Sequence, residues 1–193
     1  MQRICVFCGS SAGKHPEYLA AARQVGATLA ARKIGLVFGG GRVGLMGAVA
    51  DAALENGGEV IGVIPRVLAT KELAHAGLKE LRVVESMHDR KAAMASLADG
   101  FLALPGGYGT LEEFFEILTW AQLGLHRKPC GVLNVSGYFD PLLALAEHGI
   151  AEGFVSEEHR KLILQGTTVD DVLAQFERYT PPPLPRWITQ AQT

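Results

Sequence analysis

Two carboxylates and a guanidinium stand where an α/β protein does its chemistry. Pro105-Gly106-Gly107-Tyr108-Gly109-Thr110-Leu111-Glu112-Glu113 links an apolar run to a helix-like stretch, and three of its first five residues are glycine. Glycines leave backbone amides bare, and a helix N-terminus adds partial positive charge, so such a segment suits an anion. Thr110 is a natural N-cap. Glu112 shares a helical stripe with Glu116, which reads as solvated. Glu113 aligns with Ile117 and Trp120, an apolar stripe. A carboxylate heading a buried stripe beside a glycine-rich loop is a candidate catalytic group, and either glutamate can instead be a plain helix stabiliser.

The cation lies in Met87-His88-Asp89-Arg90-Lys91. Arg90 falls on one stripe with Met87, Met94 and Leu97, so its charge needs a partner. A guanidinium can grip a phosphate with two nitrogens or hold a carboxylate. The bland alternative is a buried Arg90–Glu113 ion pair without chemistry. Gly39-x-Gly41-x-x-Gly44 also follows a strand-like run and opens a helix, which meets the context test for a phosphate loop. The acidic residue expected about 20 positions on is missing, since Glu59 comes too early. A mononucleotide phosphate fits better than NAD, and the bland alternative is a tight turn. Gly9, Ser10, Gly40, Gly41 and Gly44 are therefore the candidate phosphate-loop residues.

The elements that must position these groups alternate. Apolar runs at 3–8, 35–38, 60–64, 81–84, 101–104 and 130–135 read as strands. Helices are expected at 16–32, from Gly44 to 54, and at 86–98, 110–123, 141–152, 157–164 and 169–179. Ser86 and Asp89 form a capping pair. Continuously apolar strands, each followed by a helix, imply a Rossmann-like three-layer α/β sandwich with a mainly parallel sheet covered on both faces. Ligands of such sheets sit outside the carboxyl ends of the strands. The glycine segments after the first, second and fifth strands all fall there. Residues 1–180 read as one domain, and the Pro-rich tail 181–193 as an arm or frayed end.

The 193 residues carry a net charge of −2, so no global basic field draws nucleic acid or a membrane surface. No apolar run reaches a membrane span, and the first residues lack a signal peptide's pattern. Three cysteines argue for a reducing, cytoplasmic setting; Cys5-x-x-Cys8 lies in the first strand and reads as buried thiols. His15, His75, His126, His148 and His159 form no metal-ligand spacing, so no metal is expected. His88, two residues before Arg90 and so near the proposed site, can simply cap a surface. No G-x-S-x-G elbow offers a serine nucleophile.

Taken together, the Arg90-Lys91 pair and P-G-G-x-G-T-x-x-E at 105–113 resemble the two signatures of the lonely-guy (LOG) family of cytokinin riboside 5'-monophosphate phosphoribohydrolases. The likeness extends to Cys8-Gly9-Ser10-Ser11, residues 39–47 and residues 118–124, and covers about 1–180. It implies a homodimer or larger assembly, no cofactor, and conversion of an N6-substituted AMP and water to free base and ribose 5-phosphate, with plain AMP a substrate of related members. By motif match, Arg90 and Glu113 are the catalytic pair. Glu72, Arg90, Lys91, Gly107, Tyr108, Gly109, Thr110, Leu111, Glu112, Glu113 and Thr119 line the nucleotide site. The family's frequent lysine decarboxylase label has no support in the residues, because that chemistry needs pyridoxal phosphate and a Schiff-base lysine. Two alternatives remain: a nucleotide or cofactor carrier without catalysis, and a structural assembly protein. The apolar circumference of the 110–123 helix predicts burial on two sides, the second supplied by a partner or by its own subunit.

Overall fold

The computed structural model describes residues 1–69 and 74–183. Among them, strands β1 (Arg3–Phe7), β2 (Gly35–Phe38), β3 (Val60–Pro65), β4 (Glu80–Val84), β5 (Gly100–Ala103), β6 (Cys130–Leu133) and β7 (Ile163–Gly166) form one sheet in the order β4-β3-β2-β1-β5-β6-β7. Every pairing is parallel. Helices α1 (Pro16–Ala31), α2 (Gly44–Glu55), α3 (Arg66–Ala69), α4 (Met87–Leu97), α5 (Tyr108–Gln122) and α6 (Asp140–Ala151) lie in the crossovers, and α7 (Val169–Arg178) follows the last strand. The fold is the Rossmann-like α/β sandwich expected from the alternating pattern.

Strand alternation divides the core. Ile4 and Val6 of β1 pack with Leu36, Phe38 and Leu102 beneath α1, α2 and α7. Cys5 and Phe7 face the other way, joining Val37, Phe101, Phe114 and Ile117 beneath α4 and α5. Successive side chains point to opposite faces, so one apolar strand serves two layers. α1 and α2 approach closely because residue 26 is glycine: a Cβ there would lie 2.2 Å from the Val49 carbonyl oxygen.

Two expectations are corrected. Residues 157–164 do not form one helix: a 3-10 helix, Glu157–Leu162, leads into β7, which closes one sheet edge. Thr110 is not an N-cap either, since α5 begins two residues earlier with Gly107 at the cap, and Thr110 lies buried in the first turn. The Ser86–Asp89 capping box is present in both directions, so α4 starts where predicted. No helix of the described residues is long and apolar enough to cross a membrane. Cys5, Cys8 and Cys130 are buried and unpaired with one another.

Candidate active site

The strand order reverses at β1, between β2 and β5, and at such a switch point the loops leaving neighbouring strands part to open a crevice. A cavity of about 280 Å³ occupies it, lined by Gly9 and Ser10 after β1, Gly39 after β2, Arg90 from α4, and Gly107, Tyr108, Gly109, Thr110 and Glu113 from α5. Val6, Cys8 and Met46 complete the wall.

Arg90 and Glu113 meet there. Arg90 Nη1 lies 2.9 Å from Glu113 Oε1, and the two side chains are only 11% and 10% exposed. Arg90 Nε donates to the Val63 carbonyl at 3.2 Å, so the guanidinium spans from β3 to α5. Its path runs over Gly39, where a Cβ would sit 2.0 Å from Arg90 Nη2. Burial pushes the Glu113 carboxyl above the usual carboxylate range, and the Arg90 charge pulls against that shift without cancelling it. The pair thus holds a carboxylate that is oriented, poorly solvated and open to the cavity.

The N-terminus of α5 forms the adjoining wall. Gly107 makes no side-chain cap, and the first-turn amides of Tyr108, Gly109 and Thr110 face a helix start with no acidic residue beside it in that turn. A Cβ added at Gly107 or Gly109 would meet nothing within 4 Å, and neither residue has positive φ. The chain itself does not demand glycine there; the space is open. Tyr108 is 94% exposed at the rim.

The Gly39–Gly44 segment behaves differently. The amides of Leu45 and Met46 at the start of α2 are directed to the Gly9 carbonyl at 2.9 and 3.4 Å. Gly44, at φ +62°, leaves room for the Ser10 backbone, 2.3 Å from where a Cβ would stand. Gly40, at φ +74°, packs beneath Leu81 and Ile64, its carbonyl accepts from His75 N–H at 2.9 Å, and Gly41 bridges Ala74. Gly40 and Gly44 therefore serve packing and Gly41 pairs with Ala74, whereas Gly9, Ser10 and Gly39 reach the cavity.

Other site residues named from the sequence stand elsewhere. Lys91 turns away from the cavity to Glu112 and, at 3.0 Å, to Glu116, tying α4 to α5. Burial alone would lower its ammonium, but hydrogen bonds to the two glutamates outweigh that and hold it above its ordinary value. The stripe read as solvated thus clamps two helices. Leu111 packs against the cluster under α4 and α5. Thr119 is exposed two turns further along α5, its hydroxyl donating to the Phe115 carbonyl at 2.7 Å. Glu72 lies outside the described residues. His88 and Met87 are exposed.

Sequence reasoning missed Val6, Cys8 and Met46 as lining residues, and placed Gly39 in the glycine motif without naming it among the candidate phosphate-loop residues. Cys8 stays a neutral thiol, because burial and the nearby Glu113 charge both drive its pKa well up, so no thiolate nucleophile is offered.

A family model described as "Possible lysine decarboxylase" matches residues 46–176. No lysine lines the cavity among the described residues, so the side chains present do not fit a Schiff-base pyridoxal site. Two relatives say more. The Arabidopsis thaliana "Cytokinin riboside 5'-monophosphate phosphoribohydrolase LOG7" is 51% identical over 180 residues, 93% of this chain and 83% of that one. The Oryza sativa subsp. japonica "Cytokinin riboside 5'-monophosphate phosphoribohydrolase LOG" is 48% identical over 180 residues, 93% and 74% of the two chains. Among solved structures, the molybdenum cofactor binding protein from Rippkaea orientalis superposes with a TM-score of 0.70 at 20% identity, covering 92% of this chain and 96% of that one. That likeness carries the fold alone. Roughly half-identical over nearly its whole length to these hydrolases, the chain belongs to the family of LOG cytokinin riboside 5'-monophosphate phosphoribohydrolases.

Proposed function

We propose that this protein hydrolyses the N-glycosidic bond of N6-substituted adenosine 5'-monophosphates, and of AMP itself, releasing the base and ribose 5-phosphate. The observation that carries it is the Arg90–Glu113 pair, 2.9 Å apart in the same cavity as the uncapped start of α5. The 5'-phosphate is held at the amides of Gly107 to Thr110, where the helix dipole favours negative charge. Ribose C1' then faces Glu113. As the C1'–N9 bond breaks, its electron pair leaves with the base and positive charge builds on the sugar. The Glu113 carboxylate stabilises that charge and takes a proton from the attacking water as the oxygen bonds to C1'; that one proton then passes to the departing base nitrogen, which leaves Glu113 ionised again. Arg90 keeps the carboxylate ionised and aimed. Family membership weighs against the carrier reading.

Incubation with AMP and with N6-isopentenyl-AMP, without added cofactor, tests this by chromatography of the products. Free base and ribose 5-phosphate from either nucleotide are expected. Nucleotide that binds and stays intact would overturn hydrolysis in favour of carriage.

The same reading includes a homodimer. α5 leaves Phe115 exposed, and beside it runs an apolar groove of about 570 Å³ lined by Leu118, Thr119, Leu143, Leu145 and Ile150, with Phe154 87% exposed nearby. A second copy covers this face in a closed pair. In that arrangement Thr119 belongs to the interface and reaches a nucleotide from the partner. Sedimentation is expected to give a dimer; a strict monomer at micromolar concentration would refute it. The three unpaired buried thiols fit a reducing cytoplasm.

A further inference from the structure

The loop that ends β5 is held from outside the cavity by a side chain with no part in the chemistry above. The Tyr138 hydroxyl donates to the Gly106 carbonyl across 32 residues. Neither residue lines the cavity, but Gly107 does. A trans peptide is planar, and its C=O and N–H point opposite ways. Anchoring the Gly106 oxygen on the outer side therefore sends the Gly107 N–H inward, toward the space where the first turn of α5 begins. The other side of the loop is pinned as well: Gly9 N–H donates to the Pro105 carbonyl at 3.1 Å, and Thr110 fills the space where a Gly106 Cβ would stand.

The anchor itself is stiff. Tyr138 leaves a turn in which Ser136 and Gly137 both have positive φ, at 51° and 72°. Asn134 ties that turn, accepting from Phe139 N–H at 2.8 Å and donating to Asp140 at 2.7 Å. The Tyr138 ring packs edge-on against Tyr18 of α1 and against Phe139. Backbone strain at a non-glycine residue persists only where its surroundings over-determine it. Here the turn places one hydroxyl on one carbonyl.

We infer that Tyr138 is a positioning residue of the 5'-phosphate subsite: its hydroxyl orients the Gly106–Gly107 peptide so that the amide faces the phosphate. This rests on the proposed site for the nucleotide. Specificity for a monophosphate over the bare nucleoside then depends on a residue that touches neither.

Tyr138→Phe removes the hydroxyl and keeps the ring contacts, so the fold is retained. The test compares affinities of the full chain for AMP and adenosine by calorimetry, with and without Tyr138→Phe, in the Glu113→Gln background, where AMP binds without being consumed during the titration. AMP affinity is expected to fall about 10-fold, the scale of one misdirected hydrogen bond to a charged group, while adenosine affinity holds. With Glu113 intact, KM for AMP rises in step and kcat stays within about twofold. Unchanged AMP affinity, or equal losses for both ligands, would overturn the inference; equal losses would make Tyr138 a support of the fold only. Affinity carries the result. A wild type that binds AMP without cleaving it defeats the hydrolase reading and leaves the AMP-to-adenosine comparison to decide this one, and a wild type that binds no AMP defeats both.

Discussion

Glu113→Gln is expected to lower turnover of AMP about 10²- to 10⁴-fold while leaving nucleotide affinity within a few-fold of wild type. The amide keeps the shape of the carboxylate and still offers Arg90 an oxygen, so the cavity persists. What is lost is the negative charge facing C1', which matters only once positive charge develops there. A change confined to kcat and kcat/KM identifies an interaction made in the transition state. The pH profile of the wild type provides a second reading. Burial raises the Glu113 carboxyl, so it ionises later than an ordinary glutamate as pH climbs. Activity that needs the carboxylate therefore falls on the acid side with a midpoint above the usual carboxylate value of about 4.3. The variant has no group to titrate there, and its residual rate should show no such limb. Single-turnover rates across pH, with AMP affinity measured in parallel, check both. Equal losses in affinity and turnover would reduce Glu113 to a binding or structural residue.

Much of the frame was legible because it rests on patterns the chain must repeat. A strand buried on both faces is a continuous apolar run, as at Val60–Pro65, and a following helix restores the sheet's direction. β7 escaped for the opposite reason. Its four residues share the apolar stretch 162–164 with the end of a 3-10 helix, and three of the four are only half-buried or exposed. Over so short a span, no period separates a strand from the last turn of a helix.

The site was legible wherever a polar residue interrupts an apolar stripe. Glu113 above Ile117 and Arg90 above Met94 are such breaks, and the structure joins them. The glycines were less readable. A glycine shows that something comes close without showing what: Gly44 admits the Ser10 backbone, Gly47 the Arg42 carbonyl, and Gly39 the Arg90 guanidinium. One fingerprint therefore holds packing glycines and a site glycine side by side. Tyr138 lay beyond reach altogether, because its partner is set by the meeting of two loops and by no local spacing.

Gly39→Ala is accordingly the second substitution with a large expected effect, although it touches neither the substrate's phosphate nor its reacting carbon. The added methyl would stand 2.0 Å from Arg90 Nη2 and 3.3 Å from Met46 Sδ, so the guanidinium must move. Its two anchors, the Val63 carbonyl and Glu113 Oε1, are fixed to β3 and α5, and a shift that clears the methyl loosens one or both. Gly39 follows β2 without positive φ, so the backbone tolerates alanine there and the damage is steric. With the cation displaced, Glu113 loses the charge that lowers its pKa while the burial that raises it stays. The acid limb of kcat/KM should therefore move to higher pH than in the wild type. At neutral pH, turnover should fall by about 10-fold or more as the carboxylate loses its aim. A plain loss of stability would shrink the active fraction without moving that limb, so the pH profile separates the two causes. Arg90→Lys in the same background supplies the complement: a thinner head group clears the methyl, and partial recovery of rate with the limb moved back would show that the clash with the guanidinium is the fault. An unshifted limb in Gly39→Ala would mean that Arg90 keeps its hold on Glu113 despite the methyl.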